Sequence, residues 1–302
     1  MLQQISMQTH ETHQDQIPHL LIAAPDLSKV RELTESDTAE VLAFLAARPV
    51  HTVVMTSWIV DNGICSELNR GKFYGYANDS GTLEGVALIG HSTLVETTSD
   101  EALKALAFTA RGSETPIHLV WSSGNSTQAF WHFMTGGKRA PRLSCTETLF
   151  KVAFPLAVAD CEWQIKNADM SHLEAVAEAQ AEVAFIESGV DPMVRDREGF
   201  VKRVARRIEQ RRVFVALDGD KVVFKADIIA ETENVVYLEG VYVAPDYRGR
   251  GIGSKCLAKL TLELLNRAEH VCLMSNVDHT DAHRTFLKAG FKPADTCVTL
   301  FV

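Results

Sequence analysis

The sequence lacks the features that mark secreted, membrane-spanning and disulfide-stabilised proteins. None of its segments has the run of about 18 apolar residues that a membrane-spanning helix requires. Residues 1–20 have neither a basic start nor an apolar core, so they resemble neither a signal peptide nor an anchor. The six cysteines are scattered, without a C-x-x-C pair. These absences predict a cytoplasmic protein with reduced thiols and no membrane partner.

Basic residues are scarce relative to acidic ones. The chain has 30 Lys and Arg against 39 Asp and Glu, which gives a net charge of −9. Nucleic-acid binding relies on broad neutralisation of phosphates, so this balance argues against a nucleic-acid partner. The 46% hydrophobic content is that of a globular protein, and 302 residues favour two domains of ordinary size.

Composition and local pattern divide the chain into three parts. Residues 1–26 are polar and predicted to be a disordered tail, in which His10 and His13 form no specific metal site. Residues 27–157 and 158–302 begin alike, with a strand, an Asp or Ser cap and an amphipathic helix. Helices alternate with hairpins in both parts. We therefore predict an α/β (α+β) fold with mixed, largely antiparallel sheets flanked by helices, and no bound metal.

A glycine-rich turn stands out in the second part. The stretch VYVAPDYRGRGIG, residues 241–253, passes from a strand through a Pro–Asp turn into a helix. The apolar positions of that helix are Ile252, Cys256, Leu260 and Leu264. The first N–H groups of a helix have no internal partner, and the helix dipole makes this end positive. Glycines at positions 249, 251 and 253 let an anion approach, and two arginines add charge, so the turn is predicted to hold a pyrophosphate.

The spacing of the glycines narrows the kind of pyrophosphate site. It fits neither the Walker loop nor the Rossmann pattern G-x-G-x-x-G. It does fit R/Q-x-x-G-x-G/A, through Arg248, Gly251 and Gly253. This pattern resembles the phosphate-binding motif of the GNAT N-acetyltransferase superfamily, and SNVDHTDAHRTFLKAGF, residues 275–291, is similar to a later segment of that family.

The likeness extends beyond these motifs. Stretches such as FYGYANDSG and VVFKADI make the whole chain resemble a tandem branch of the superfamily. In that branch a degenerate GNAT-like domain, here residues 27–157, precedes an acetyl-CoA-binding GNAT domain, here residues 158–302. The first domain has no counterpart of R-x-x-G-x-G, which implies that it does not bind CoA in the usual manner. It would instead pack against the catalytic half, shape the acceptor pocket or mimic the second subunit of a dimer.

The resemblance implies that acetyl-CoA is the cosubstrate and that an acceptor amine attacks its thioester directly. Position by position, it places the following residues at the cofactor: Val241, Tyr242, Val243, Arg248, Gly249, Arg250, Gly251, Ile252, Gly253, Ser254, Asn276, His279 and Phe286. A backbone N–H of residues 241–243 would stabilise the oxyanion. A base must also remove a proton from the amine, because an amine like that of lysine is protonated at neutral pH.

Glu239 is the predicted base. Strand alternation puts Tyr237, Glu239, Val241 and Val243 on one face unless a bulge intervenes. A carboxylate in this otherwise apolar strand would lie close to the cofactor. The simpler alternative is an edge position that only meets water.

The general acid departs from the family pattern. The family usually has a tyrosine where this chain has Phe286, which has no proton to give. Water, Tyr242, His279 or His283 could supply the proton, the thiolate could leave unaided, or the domain has lost catalytic efficiency. The predicted catalytic residues are therefore Glu239, Tyr242 and His279.

Two groups of charged residues outside the motif have alternative interpretations. One is a basic helix that carries Lys202, Arg203, Arg206, Arg207, Arg211 and Arg212. These side chains form a solvated face, or bind an acidic acceptor or the 3′-phosphate of CoA. The other group is Glu187 and Asp191, at the place where this superfamily often forms the acceptor site. They attract a cationic amine, or are loop carboxylates without function.

Three functions are compatible with these features. The first is an acetyl-CoA-dependent N-acetyltransferase acting on a small amine or a peptide amine. The second is a non-catalytic acyl-CoA-binding protein that transmits ligand occupancy to a partner. The third, aminoacyl transfer from charged tRNA, ranks last because such proteins commonly lack a good CoA loop. An internal pseudo-dimer is compatible with a monomer or a homodimer.

Overall fold

The computed structural model describes residues 24–158 and 160–302. The predicted tail, with His10 and His13, lies outside the described residues except for positions 24–26. The described chain contains two successive runs of secondary structure that repeat the same order.

The first run contains six strands and four helices. In chain order they are β1 (Val30–Glu32), α1 (Thr38–Leu45), α2 (Pro49–Asn62), β2 (Gly71–Ala77), β3 (Leu83–Gly90), β4 (Ser92–Thr97), α3 (Asp100–Ala110), β5 (Leu119–Ser123), α4 (Ser126–Thr135) and β6 (Leu143–Val152).

The second run differs from the first only by one additional short helix, α6. Its elements are β7 (Lys166–Asn167), α5 (Leu173–Ser188), α6 (Pro192–Arg195), α7 (Arg197–Glu209), β8 (Val213–Asp218), β9 (Lys221–Glu231), β10 (Val235–Val243), α8 (Ile252–Leu264), β11 (His270–Asn276), α9 (Thr280–Lys288) and β12 (Lys292–Phe301). The predicted apolar stripe of α8 is confirmed, because Cys256, Leu260 and Leu264 are buried and Ile252 packs partly buried against the same core.

All twelve strands of residues 24–158 and 160–302 belong to one sheet. Their order across it is β1-β2-β3-β4-β5-β12-β6-β11-β10-β9-β8-β7. Among the described strands, only β4–β5 and β10–β11 are parallel neighbours. The predicted mixed, largely antiparallel architecture is therefore confirmed, although the two halves share a continuous sheet.

The last strand of each half is exchanged with the other half. Strand β6 pairs with β11 of the second half, with Glu147 opposite Asn276. Strand β12 pairs with β5 of the first half, with Cys297 opposite Ser123. The two exchanged strands also pair with each other, so neither half completes its sheet alone. The boundary between residues 157 and 158 stays a prediction, and in three dimensions the halves interlock across it.

Helices cover both faces of the sheet at β9 and β10. Leu238 belongs to the buried cluster under α8, whereas its neighbour Tyr237 belongs to a cluster that includes residues of α2. Neighbouring strand residues point to opposite faces, so α8 and α2 lie on opposite sides. Helix α2 comes from the first half, yet it packs on β9 and β10 of the second half, beside α5. No helix in the described ranges combines the length and the apolar character needed to cross a membrane.

Candidate active site

Strands β10 and β11 separate partway along their length. Their parallel pairing runs from Val235 opposite His270 to Leu238 opposite Leu273 and stops there. Both strands continue, β10 to Val243 and β11 to Asn276. The edge of β10 that follows Leu238 therefore faces a gap between two strands of the same sheet.

The glycine turn lies at the end of β10 that borders this gap. Helix α8 begins at Ile252, with Gly251 at its N-cap in a left-handed conformation (φ +75°) and no side chain capping the helix. Among the described residues, nothing accepts a hydrogen bond from the N–H groups of residues 249–253. Unpaired N–H groups and the positive end of the helix dipole are together chemically suited to binding an anion.

The three glycines of the turn serve different purposes. Gly249 and Gly251 have φ of +76° and +75°, and a Cβ on either would point into open space. Gly253 lies inside the first turn of α8, where a Cβ would come within 2.9 Å of Val243 Cγ2 and 3.3 Å of Thr285 Cγ2. The missing side chain of Gly253 therefore also allows close packing of α8 on β10 and α9, a role that the sequence did not indicate.

The two arginines of the turn are held differently. Arg248 donates from Nε to the Val243 carbonyl over 2.8 Å and from Nη2 to Glu182 Oε1 over 2.6 Å. The guanidinium of Arg250 lies 5.6 Å from the ring centre of Tyr247 and forms no ion pair with a described carboxylate. Arg250 is thus free to meet an anion, whereas Arg248 fixes the turn to α5. Ser254 Oγ donates to the Gly251 carbonyl over 3.0 Å and steadies the start of α8.

A β-bulge interrupts β10 just before the turn. Glu239 is opposite Asp227 on β9, but the next pair is Tyr242 with Lys225, so Gly240 and Val241 together face a single residue. Gly240 takes φ +59°. The bulge reverses the alternation of side chains along the strand.

The exception allowed for in the predicted common face of β10 therefore applies, and that face ends at Glu239. Tyr237 and Glu239 share the face covered by α2 and α5, and Tyr237 Oη donates to Glu239 Oε1 over 2.9 Å. Val241 and Val243 instead pack on the α8 side. Tyr242 returns to the α5 side, where its hydroxyl donates to Glu182 Oε2 over 3.1 Å.

Three carboxylates come together on the face that carries Glu239. They are Glu239 itself, Glu187 at the end of α5 and Glu147 on the exchanged strand β6. Burial raises the pKa of Glu187 to about 7, and repulsion from Glu239 and Glu147 contributes to that rise. Burial also raises the pKa of Glu147, against a hydrogen bond from the Thr299 hydroxyl that lowers it. Glu187 and Glu239 keep solvent-exposed surface, so this acidic cleft, as we call it, is open.

Glu147 is the site residue that sequence reasoning missed. It stands between Cys145 and Leu149 on one face of a strand, which is the same signal that singled out Glu239. Its strand belongs to the first half, and only the strand exchange brings it to the second. Asp191 has a structural contact, since its Oδ1 caps α6 by accepting a hydrogen bond from the Met193 N–H over 2.8 Å.

The predicted residues on β11 and α9 lie on the other side of the gap. Asn276 Oδ1 accepts from the Asp278 N–H over 2.9 Å and shapes the turn after β11. His279 is the N-cap residue of α9 and half-buried. Phe286 is buried against Phe150, with ring centres 5.6 Å apart. Tyr242 and Phe286 therefore belong to clusters on opposite faces of the sheet.

Most of the six basic side chains that were predicted to share one helix are paired within the chain, although α7 ends at Glu209 and Arg211 and Arg212 lie beyond it. Four of the six have carboxylate partners, in the pairs Lys202–Glu198, Arg203–Asp196, Arg207–Asp227 and Arg212–Asp61. This pairing favours the interpretation of a structural, solvated face over an anion-binding one.

The first half has an equivalent gap without an equivalent turn. Strands β4 and β5 pair only from Ser92–Leu119 to Leu94–Trp121 and then separate. Helix α3 follows β4, but the Ser99 hydroxyl caps it and Asp100 and Glu101 occupy its first turn. These acidic residues oppose the binding of a phosphate there.

The counterpart of the acidic cleft in the first half is occupied by the protein's own cations. Glu96 on β4 is buried and pairs with Arg48 Nη1 at 2.8 Å, and burial raises its pKa. Asp295 of the exchanged strand β12 contacts His51 Nε2 at 2.9 Å. Within the described residues, no group of His, Cys, Asp and Glu is arranged to hold a metal ion.

Comparison with known proteins agrees with this geometry. Residues 209–293 match a family model described as an acetyltransferase (GNAT) domain. No curated protein sequence matches the chain.

Solved structures resemble the chain over nearly its whole length. A GCN5-related N-acetyltransferase from Sphaerobacter thermophilus is 14% identical with a TM-score of 0.62, covering 90% of this chain and 94% of its own. A GNAT-family acetyltransferase from Colwellia psychrerythraea is 14% identical with a TM-score of 0.55, covering 90% and 99%. A tandem GNAT protein from the clavulanic acid biosynthesis pathway is 12% identical with a TM-score of 0.57, covering 90% and 97%. At these identities the likeness establishes the fold.

Proposed function

We propose that the second half of this chain is an acetyl-CoA-dependent N-acetyltransferase. The premise is that the chain belongs to the GNAT acetyltransferase superfamily, whose domain model matches residues 209–293. The acyl group passes to a primary amine of a small molecule or peptide by direct attack. One observation carries the proposal: the bare N-terminus of α8 follows the end of β10 that borders the gap, and Glu239 of the acidic cleft comes directly after the last β10 residue paired with β11.

The residues around the gap fit acetyl-CoA. The free N–H groups of residues 249–253 bind the diphosphate, with Arg250 adding charge and Ile252 and Ser254 shaping the first turn of α8. The gap receives the extended arm between Val241 and Val243 on one side and Asn276 and His279 on the other. When bound there, acetyl-CoA supplies an activated acyl group.

The acidic cleft supplies the groups that an amine acceptor needs. Its three carboxylates attract a cation, and Glu239 takes a proton from the bound ammonium group, which leaves a free amine that attacks the thioester carbonyl. Glu239 has this role because it directly precedes the bulge that contains Val241. The N–H of Val241, a bulge residue without a Cα partner on β9, donates to the carbonyl oxygen as negative charge develops on it.

Departure of the thiolate needs little help from the protein. Phe286 has no proton to give, and the Tyr242 hydroxyl is engaged with Glu182. His279 or water then protonates the sulfur. Because the pKa of the CoA thiol is about 8.5, its thiolate leaves without help from a strong acid.

A non-catalytic acyl-CoA-binding role is the second candidate, and Phe286 is the observation that favours it. The strand exchange couples the halves, so ligand in the second half would be sensed by the first. A monomer or homodimer, a cytoplasmic location and the absence of nucleic-acid and membrane partners stay predictions.

Turnover with a panel of amines separates the two candidates. The purified chain is incubated with acetyl-CoA and, in turn, phenethylamine, cadaverine, glucosamine and a lysine-containing peptide. Released CoA is measured by chromatography, because the six free cysteines would react with a thiol reagent. Amine-dependent CoA release is the expected result. Tight binding of acetyl-CoA without release, for every amine, would favour the non-catalytic role.

A further inference from the structure

A buried lysine lies directly behind the bulge of β10. Lys225 on β9 is fully buried. Its Nζ donates to Gln180 Oε1 over 2.5 Å and to the Gly240 carbonyl over 3.3 Å, and lies 2.8 Å from Asp227 Oδ1. An ammonium group has three hydrogens, and three oxygens surround this one.

Gly240 fits closely against this ammonium group. A Cβ on Gly240 would come within 2.9 Å of Lys225 Nζ and 2.7 Å of Gln180 Oε1. Because a side chain is absent here, Lys225 reaches the Gly240 carbonyl oxygen itself. Glycine is therefore required at position 240 for two reasons: its positive φ and the close approach of the buried ammonium group.

The peptide group that Lys225 contacts is the one that carries the Val241 N–H. This peptide is trans, so its N–H points away from the carbonyl oxygen and therefore away from Lys225. Gly240 and Val241 have no partners in the register with β9, and they lie beyond the last pair with β11. The Val241 N–H thus belongs to a peptide whose oxygen is held by a cation.

We propose that Lys225 is a positioning residue, whose ammonium group polarises the Gly240–Val241 peptide and strengthens the Val241 N–H as a donor to the thioester carbonyl. The inference rests on the proposed function. A hydrogen bond at one end of a peptide dipole polarises the other end, and the effect is large where water is excluded. The same contact fixes the bulge, so the donor is aimed before the cosubstrate arrives.

Every element packed around Lys225 contributes to its charge state. Helix α5 contributes Gln180 and Glu187, α7 contributes Arg207, and Asp227 lies two residues along β9. Burial lowers the pKa of Lys225, as does Arg207, whereas Asp227 and Glu187 raise it. Asp227 also pairs with Arg207 Nη1 at 3.3 Å, so the network balances two cations against buried carboxylate and amide oxygens.

The test compares Lys225→Met with the control Arg207→Met. Arg207 belongs to the same network and contacts Asp227, but it does not contact Gly240. The single variant Lys225→Met leaves the buried carboxylate of Asp227 without this partner, which can prevent folding. The double variant Lys225→Met/Asp227→Asn removes both charges and provides a folded protein in that case. Circular dichroism checks folding, and calorimetry measures the dissociation constant of acetyl-CoA.

The decisive readout is the infrared stretching frequency of the thioester carbonyl in bound [1-13C]acetyl-CoA. We expect this frequency to move toward its free-solution value in both Lys225 variants and to stay at the wild-type value in Arg207→Met. With the best amine of the panel, kcat should fall about tenfold, less than the 10²–10³-fold that follows loss of a whole oxyanion donor. The dissociation constant of acetyl-CoA should change by less than about threefold.

An unchanged carbonyl frequency in a folded Lys225 variant would overturn the inference and leave the proposed function standing. So would loss of folding in both Lys225 variants, since the lysine would then serve stability alone. Failure of the wild-type chain to bind acetyl-CoA would instead refute the proposed function itself.

Discussion

Replacing Gly251 with glutamate should abolish most of the affinity for CoA. A Cβ at this position points into open space at the start of α8, so the new side chain does not disturb packing. The residue does adopt φ +75°, which costs a non-glycine residue about 1–2 kcal/mol. Gly251→Ala carries the same cost without the charge, and the strain is present in both the free and the bound protein. The difference between the two variants therefore isolates electrostatics.

The size of that difference follows from Coulomb's law. A carboxylate about 5 Å from one phosphate charge, at an effective dielectric constant of about 20, is repelled by about 3 kcal/mol. This corresponds to a loss in affinity of somewhat more than a hundredfold. The Gly251→Ala protein should bind CoA within about tenfold of the wild type, and high salt should narrow the gap between the variants.

Isothermal titration calorimetry of the three proteins with CoA, at low and at high ionic strength, measures these values. Equal affinities for Gly251→Glu and Gly251→Ala would refute the reasoning, because no phosphate could then lie near the start of α8.

Further expectations concern the acidic cleft and the first half. Glu239→Gln should lower kcat about 10²–10⁴-fold without changing the dissociation constant of acetyl-CoA, as steady-state kinetics and calorimetry will show. Glu178→Gln, on the exposed face of α5, is its control. Glu187 has a pKa raised to about 7, so it is largely protonated below pH 6 and ionised above pH 8. The KM for a cationic amine should consequently fall as pH rises through 7, and Glu187→Gln should remove that fall; an unchanged profile would exclude Glu187 from the cleft's charge. Calorimetry should find one acetyl-CoA bound per chain. In the first half, the corresponding helix α3 begins with Asp100 and Glu101, whose negative charges repel a phosphate; two binding sites would contradict this assignment.

The parts of the site that sequence reasoning identified are local in the chain. The strand, the turn and the first turn of α8 follow one another within residues 241–253, so their relative geometry is set by neighbouring residues. The N-terminal N–H groups of α8 are free because the N-cap residue, Gly251, has no side chain that could accept a hydrogen bond from them. Helix spacing likewise predicted the buried face of α8.

The parts that it missed depend on distant contacts. Glu147 lies in the cleft because β6 is exchanged between the halves and pairs with β11. A local sequence pattern does not predict which strands pair with each other. The side chains after Glu239 change faces because Gly240 and Val241 together lie opposite a single residue of β9. Gly240 in a strand interior was a signal for such a bulge, although its position alone did not show which side chains would turn.

Lys225 illustrates a third kind of residue. In the sequence it interrupts an apolar strand, which could mark an edge exposed to water. The structure buries it instead, because Gln180, Asp227 and the Gly240 carbonyl come from three different elements to surround its ammonium group.

A crystal structure of the chain with CoA tests the central claim most directly. We predict that the diphosphate lies over the N–H groups of residues 249–253 and that the pantetheine arm lies in the gap between β10 and β11. Diphosphate density elsewhere on the chain, with this turn vacant at saturating CoA, would contradict it.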